Sequence, residues 1–287
     1  MSQLKNPHDL LFKETLSRKD NARSFLENYL PREILEIVDL SRIEIEKDSF
    51  VTEELREFFS DLLYKVRFPE EDGYVYVLFE HKSYSEKRIG LQLLEYLLQC
   101  WKLKRGQNQP LPVIIPLVVY HGQEKWGAGL RFAEMFAARD PRLRKFIPDF
   151  PYLLYDLVRT RDEDLRGIVN LKVMLHLLKY VKSHEFCNKL AEILRMMAQE
   201  GVDLQYLTAV TIYVLKTTEI PTEDFIRIAE EQVSIEGGNT IMTTAEKLIK
   251  QGEIKGKIEG KIEAILEIRF GEDGLALMDR IRDVSSL

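Results

Sequence analysis

Apolar positions first fall at helical spacing. Leu10, Leu11, Phe12 and Leu16 come after the pair Asn6-Pro7. Asparagine caps free backbone N–H groups, and proline already has the φ of a first helical residue. The pattern predicts a helix from Pro7 to about Ser17 and a second from about Asn21 to Leu30, with Pro31 starting a further short turn. The spacing then changes from helical to alternating. Ser41 to Asp48 (SRIEIEKD) alternates and predicts a first strand. Val51 to Phe59 reads as a loop approaching a hairpin. That hairpin is DLLYKVRFPEEDGYVYVLFEHKS, Asp61 to Ser83, two strands and a turn. Lys87 to Lys104 returns to helical periodicity through Ile89, Leu93, Tyr96, Leu97 and Trp101. Leu111 to Tyr120 is an unbroken apolar run bounded by turn residues, as in a strand buried on both faces. Tyr152 to Leu157 predicts one more strand.

Residues 1–158 therefore read as an α/β domain, a central mixed sheet flanked by helices. Residues 159–235 read as all-α, with helices over Thr160–Tyr180, His184–Gln199, Leu204–Thr217 and Thr222–Val233. Residues 236–287 repeat GEIK, GKIE and GKIE from Gly252, Gly256 and Gly260, with Ile254, Ile258, Ile262 and Leu266 four apart. That spacing makes one apolar stripe on a helix. Each interior glycine costs about 1 kcal/mol relative to alanine. Packing against a second helix, as in a homo-oligomer, offsets that cost; a flexible charged tail is the alternative.

Composition narrows the class. The chain has 287 residues, 45% hydrophobic and 31% charged, with a net charge of −6. It is long enough for a sizeable core and too apolar for general disorder. Two cysteines, Cys100 and Cys187, argue for a reducing compartment. The first residues lack the apolar stretch of a signal peptide, and the longest apolar run is too short to cross a bilayer. The expectation is a cytoplasmic protein with no membrane partner. The five histidines and two cysteines show no zinc spacing, and no phosphate-cradling glycine loop occurs. The acidic balance disfavours broad polyanion binding, but Lys87-Arg88, Lys102, Lys104-Arg105 and Arg142, Arg144, Lys145 are local basic clusters. His121 comes directly after the buried strand, where α/β sheets present ligands, although a backbone-satisfied turn histidine is the commoner arrangement. His8 is explained as well by helix-end contacts as by metal binding, and His176 reads as core.

The hairpin holds the candidate chemistry. In its second strand Tyr74, Tyr76, Leu78, Glu80 and Lys82 share one face. A four-residue loop Pro69–Asp72 would pair Phe68 with Gly73 and, by extension, Asp61 with Glu80. Opposed carboxylates at strand spacing repel unless neutralised, and Mg²⁺ takes one or two carboxylates while keeping water or phosphate ligands. Lys82, one step along, would stabilise charge on a phosphate or help deprotonate a water. Spacing alone fits a solvated strand face more often. The apolar hairpin with the helix and buried strand behind it makes the arrangement more demanding.

These residues resemble the PD-(D/E)xK nuclease superfamily, whose pattern is an acid, a gap, then acid-x-Lys on the adjacent strand: here Asp61, then Glu80-His81-Lys82. Ser60 stands where the naming proline would be. Gln92 and Tyr96 resemble the Q-x-x-x-Y signature of RecB-like members. More narrowly, HDLLFKETLS, FLENYLP, the EHKS strand and PLVVYHG resemble the Rpn family of recombination-promoting nucleases, also described as YhgA-like putative transposases. The resemblance is strongest between about residues 7 and 126. It implies a restriction-endonuclease-like core and a metal-dependent DNA endonuclease acting in recombination. Asp61 and Glu80 would bind Mg²⁺, Lys82 would be the catalytic lysine, and Gln92 and Tyr96 would support the site. An acid from the first helix, Asp9 or Glu14, would complete it. A dimer joined by the C-terminal helices is expected. The alternative is a catalytically silent module of the same fold that binds nucleic acid or protein.

Overall fold

The computed structural model describes residues 6–46, 62–69, 72–80, 88–137 and 140–234, with Asn239, Met242 and Thr243 beyond them. Three helices come first: α1 (Pro7–Leu16), α2 (Lys19–Tyr29) and the single turn α3 (Arg32–Leu35). Strands β1 (Asp39–Glu46), β2 (Leu62–Arg67) and β3 (Asp72–Glu80) come next. Helix α4 (Ile89–Gly106) leads to β4 (Ile114–Tyr120), the turn α5 (Pro141–Arg144) and β5 (Leu153–Asp156). The remaining helices are α6 (Val169–Tyr180), α7 (Phe186–Glu200), α8 (Leu204–Thr217) and α9 (Thr222–Gln232).

The five strands form one mixed sheet in chain order, β1 to β5. The pairs β1–β2 and β2–β3 are antiparallel, and β3–β4 and β4–β5 are parallel. The expected α/β core is thus present. The pairing of β1 with β2 is irregular between Asp39 and Glu44, near the strand's start.

The hairpin register differs from the expected one. Arg67 pairs with Asp72, Val66 with Gly73 and Leu62 with Val77. The last pair is therefore Arg67 with Asp72, not Phe68 with Gly73, and the pairing shifts by two residues. Phe68 is the cause. Its ring lies where a side chain at Gly73 would stand and is only 9% exposed. An aromatic ring buried over its own hairpin leaves the strand one residue earlier than a solvated one would. The shift is even, so the assignment of residues to faces is retained.

Alternation then builds two apolar layers. On one face Leu63, Tyr74, Ile114, Val118 and Tyr120 pack with Ile89, Leu93, Tyr96, Leu97 and Cys100 of α4. On the other parity Tyr64, Val66, Val75, Leu117 and Val119 are buried, as are Phe12, Leu16, Phe25 and Leu26 of the first two helices. Tyr64 ties β2 to α1 by donating its hydroxyl to the Leu16 carbonyl at 3.0 Å.

Two compact units divide the chain: His8–Ile193, and residues from Leu194 onward with the first seven. In the first unit, α6 begins at Val169, not near Thr160 as the periodicity implied. Residues 157–159 and 162–164 form single 3₁₀ turns instead. Gly167 at φ +123° then reverses the chain, and the Ile168 amide donates to Ser24 Oγ at 3.1 Å. The second unit contains α8 and α9. There Asp203 caps α8 by accepting from the Tyr206 amide at 2.7 Å.

Candidate functional site

Parallel strands β3, β4 and β5 end together. Glu80 pairs with Tyr120, and Tyr120 with Asp156, so three strand ends form one row. In open α/β sheets ligands bind outside the carboxyl ends of the strands, where loops and helix starts converge.

The chain after Tyr120 folds back over this row. The Tyr120 hydroxyl donates to the Glu124 carbonyl at 3.0 Å, and its ring meets Trp126 edge-on with centroids 5.0 Å apart. Trp126 Nε1 donates to the Tyr152 hydroxyl at 3.3 Å, which donates to the Gly129 carbonyl. Burial pushes the Tyr152 hydroxyl up to about 12, so it remains a proton donor across the neutral range. Asp156, at the end of β5, is held by Arg159 at 3.2 Å, and Arg159 also donates to the Glu124 carbonyl at 3.1 Å.

Helix α1 meets the same end of the sheet. Its His8 ring lies 4.9 Å from the ring of His121, the residue after Tyr120. His121 is only 1% exposed. The commoner reading from sequence, a turn histidine satisfied by backbone, missed this ring contact. The signal lay in two separate segments, PHD and VVYHG, and only the fold brings them together. Asp9, next to His8, has its Oδ1 shielded from water. Glu14 faces elsewhere and pairs with Arg18 at 2.9 Å. Of the two acids named from sequence, Asp9 is thus adjacent in sequence to the contact at the strand ends. Glu14 is engaged at the other end of α1.

Gln92 is half-buried on α4. Tyr96 is 5% exposed and packs in the layer containing Tyr120 and Trp126. Asp61 and Lys82 lie outside the described residues, as does the Glu80 side chain; the backbone of Glu80 is described. The C-terminal repeat from Gly252 also lies outside them. Among the described residues no three His, Cys, Asp or Glu side chains converge as metal ligands. Nor is any described helix long and apolar enough to cross a membrane.

The basic clusters separate along the sheet. Lys104 lies over the Tyr74 ring at 5.3 Å, near the start of β3. At about 3.3 Å per residue that is roughly 20 Å of strand from Glu80. Arg142, Arg144 and Lys145 lie on the long connection between β4 and β5, and all are exposed. Arg88 stands directly before α4.

A second charged cluster leaves no mark in the sequence pattern. The Asp162 carboxylate accepts from Lys179 at 2.6 Å, Tyr180 at 2.7 Å and Lys189 at 3.0 Å. Burial by itself would raise this carboxyl. The hydrogen bonds from Lys179, Tyr180 and Lys189 outweigh it and hold the group well below the usual carboxylate range. His176, expected in the core, is half-buried and stacks on Tyr180 with centroids 6.3 Å apart. Burial lowers its pKa. This cluster fastens the turn at 162–164 to α6 and α7.

The model of the family described as "Putative transposase, YhgA-like" matches residues 6–205. Recombination-promoting nuclease RpnD of Escherichia coli O157:H7 is 29% identical over 247 residues, which is 84% of this chain and 94% of the relative. Recombination-promoting nuclease RpnA of Escherichia coli K12 is 29% identical over 255 residues, 88% of this chain and 86% of the relative. A third relative from the same strain, at 26% identity over 255 residues, is named an inactive recombination-promoting nuclease-like protein, RpnE; the match covers 88% of this chain and 84% of that protein. No solved structure matches the chain.

Proposed function

Because the chain belongs to the YhgA-like putative transposase family, we propose that it is a divalent-metal-dependent DNA endonuclease that hydrolyses phosphodiester bonds in recombination. The observation that carries this reading is the row Glu80–Tyr120–Asp156 at the parallel strand ends, met by His8 of α1 through His121. The names of the relatives support nucleic-acid cleavage.

The ligand set is Asp61, Glu80 and Asp9. All three offer carboxylate oxygen, the donor a hard cation such as Mg²⁺ takes. Asp9 is preferred to Glu14 because its neighbour His8 touches the strand-end residue His121, whereas Glu14 is bound to Arg18. Asp61 directly precedes β2 in the chain, and Glu80 is the last residue of β3. When bound, the metal supplies charge stabilisation for the phosphate and a polarised water. Lys82 neutralises charge that builds on the phosphate. Tyr96 and its apolar layer under Tyr120 hold the strand ends rigid, and Gln92 lies one helical turn before Tyr96 on α4. Assembly as a dimer through the C-terminal repeat would supply two sites.

The test is cleavage of supercoiled plasmid with Mg²⁺ by the unaltered protein, Asp61→Ala and Lys82→Ala. The expected result is nicking or linearisation by the first and none by the folded variants. If the unaltered protein leaves the plasmid intact, it is a catalytically silent module that binds nucleic acid or protein.

A further inference from the structure

The connection between β4 and β5 makes an excursion whose neck is closed and whose tip is bare. At the neck, Arg131 bridges to Pro151, and Phe132 stacks on Phe150 with centroids 5.2 Å apart. Phe132 and Met135 pack on Gly90, in the first turn of α4. Asp149 fixes the neck: it accepts from the Ala133 amide at 3.1 Å and from Arg131 at 2.7 Å. The excursion leaves the sheet directly after the strand-end row and is braced on the helix that comes after β3.

The tip differs from this neck. Residues 141–146, PRLRKF, are all exposed. Phe146 is 75% exposed and Leu143 58%. Lys145 Nζ lies 5.1 Å from the centre of the Phe146 ring. Asp140 caps the turn and binds Arg142 at 2.6 Å, with Pro141 in the first helical position, so the tip is preset rather than slack. From Leu130 to Phe150 the sequence has five basic residues and three acidic ones, in a chain of net charge −6. Beside the tip is a cleft of about 490 Å³ lined by Arg131, Glu134, Phe136, Arg144, Ile147 and Asp149 among others.

Phe146 has a lysine over its ring and follows Arg142 and Arg144, so its exposed face stands in a basic setting. Lysine is depleted in the cores of protein interfaces, and charge there must be desolvated. The arrangement matches what single strands require, an aromatic face for a base and cations for the phosphates beside it. In duplex DNA the base faces are already stacked and unavailable to such a ring. We infer that the tip Arg142–Phe146 is a contact surface for unpaired DNA, with a base stacking on Phe146 and phosphates meeting Arg144 and Lys145. The inference rests on the nuclease reading and names the form of substrate that the site receives.

Binding is measured by fluorescence anisotropy in EDTA, with Asp61→Ala as the parent protein, so cleavage plays no part. Probes are a 20-nucleotide single strand, the same strand with abasic positions, and its duplex. Phe146→Ala is expected to weaken the single strand at least about five-fold, the low end of a lost base stack, and to change the abasic strand and the duplex less than two-fold. Lys145→Gln is expected to flatten the dependence of log Kd on log salt by about 0.7 for the single strand. Both side chains are exposed, and unchanged thermal unfolding verifies the fold. The inference is overturned if Phe146→Ala leaves single-strand affinity unchanged or weakens duplex equally. It is also overturned if Phe146→Ala alters the oligomeric state without altering DNA affinity, the outcome for a surface that binds protein. Failure of plasmid cleavage, with this binding intact, would remove the nuclease reading alone.

Discussion

Tyr64→Phe tests how α1 is held to the sheet. The end of a helix leaves carbonyls without intrahelical partners. Here the Ser17 amide donates to Lys13, Asn21 Nδ2 donates to Thr15 at 2.7 Å, and the Tyr64 hydroxyl donates to Leu16 at 3.0 Å. Tyr64 and Leu16 are both 0% exposed. The phenylalanine keeps the ring, so almost no apolar burial is lost. What changes is one buried carbonyl deprived of its donor, a loss of about 1–3 kcal/mol. With a urea m-value on the order of 3 kcal/mol/M, the midpoint falls by roughly 0.3–1 M at unchanged slope. The assay is equilibrium urea unfolding followed by far-UV circular dichroism. An unchanged midpoint refutes the reasoning, because water would then be satisfying the carbonyl. A changed slope also refutes it, because the mutation would then have altered more than this bond. Asn21→Ala is the companion measurement. The two carbonyls are adjacent and share one helix end, so their combined loss departs from additivity.

Two further changes probe the connection into α6. Asp162 has a folded pKa below its unfolded value near 3.9. Its contribution is therefore present above the unfolded pKa and is lost as pH falls through the folded one. Melting temperatures from pH 7 down to 2.5 should fall less steeply for Asp162→Asn than for the parent, and parallel curves would sink this account; partial exposure of the carboxylate keeps the difference small. Gly167→Ala is expected to destabilise by about 1–2 kcal/mol, read as a lower melting temperature, because Gly167 has φ +123° and its neighbourhood is filled by Leu171 and Ser24. An unchanged melting temperature would show that the turn relaxes freely.

The elements whose burial is continuous were legible. The Leu111–Tyr120 run became β4, the Ile89, Leu93, Tyr96 and Leu97 stripe became the inner face of α4, and α8 spans Leu204–Thr217 as its periodicity implied. Two readings failed for tertiary reasons. The hairpin loop was set from its turn residues, but Phe68 buries over Gly73 and shortens the strand. Helical periodicity ran on through Thr160–Ile168, but Asp162 is drawn to Lys179 and Lys189, and Gly167 takes a left-handed turn. At the candidate site, hydrophobic pattern located the strand and helix that position Glu80 and Asp9. It contained no trace of His8 meeting His121, since contacts between segments so far apart leave no periodic mark. The row Glu80–Tyr120–Asp156 likewise needed the parallel register, which alternation along single strands does not specify.

The meeting of His8 with His121 also sets a clock. Helix α1 leaves the ribosome early, and its partner is made roughly 110 residues later. At typical synthesis rates of about 5–20 residues per second, some 5 to 25 seconds separate the two. Throughout that interval α1 lacks the strand end it rests on, and β5, which completes the row, comes later still. A protein assembled in this order keeps its strand-end row open until most of the sheet exists.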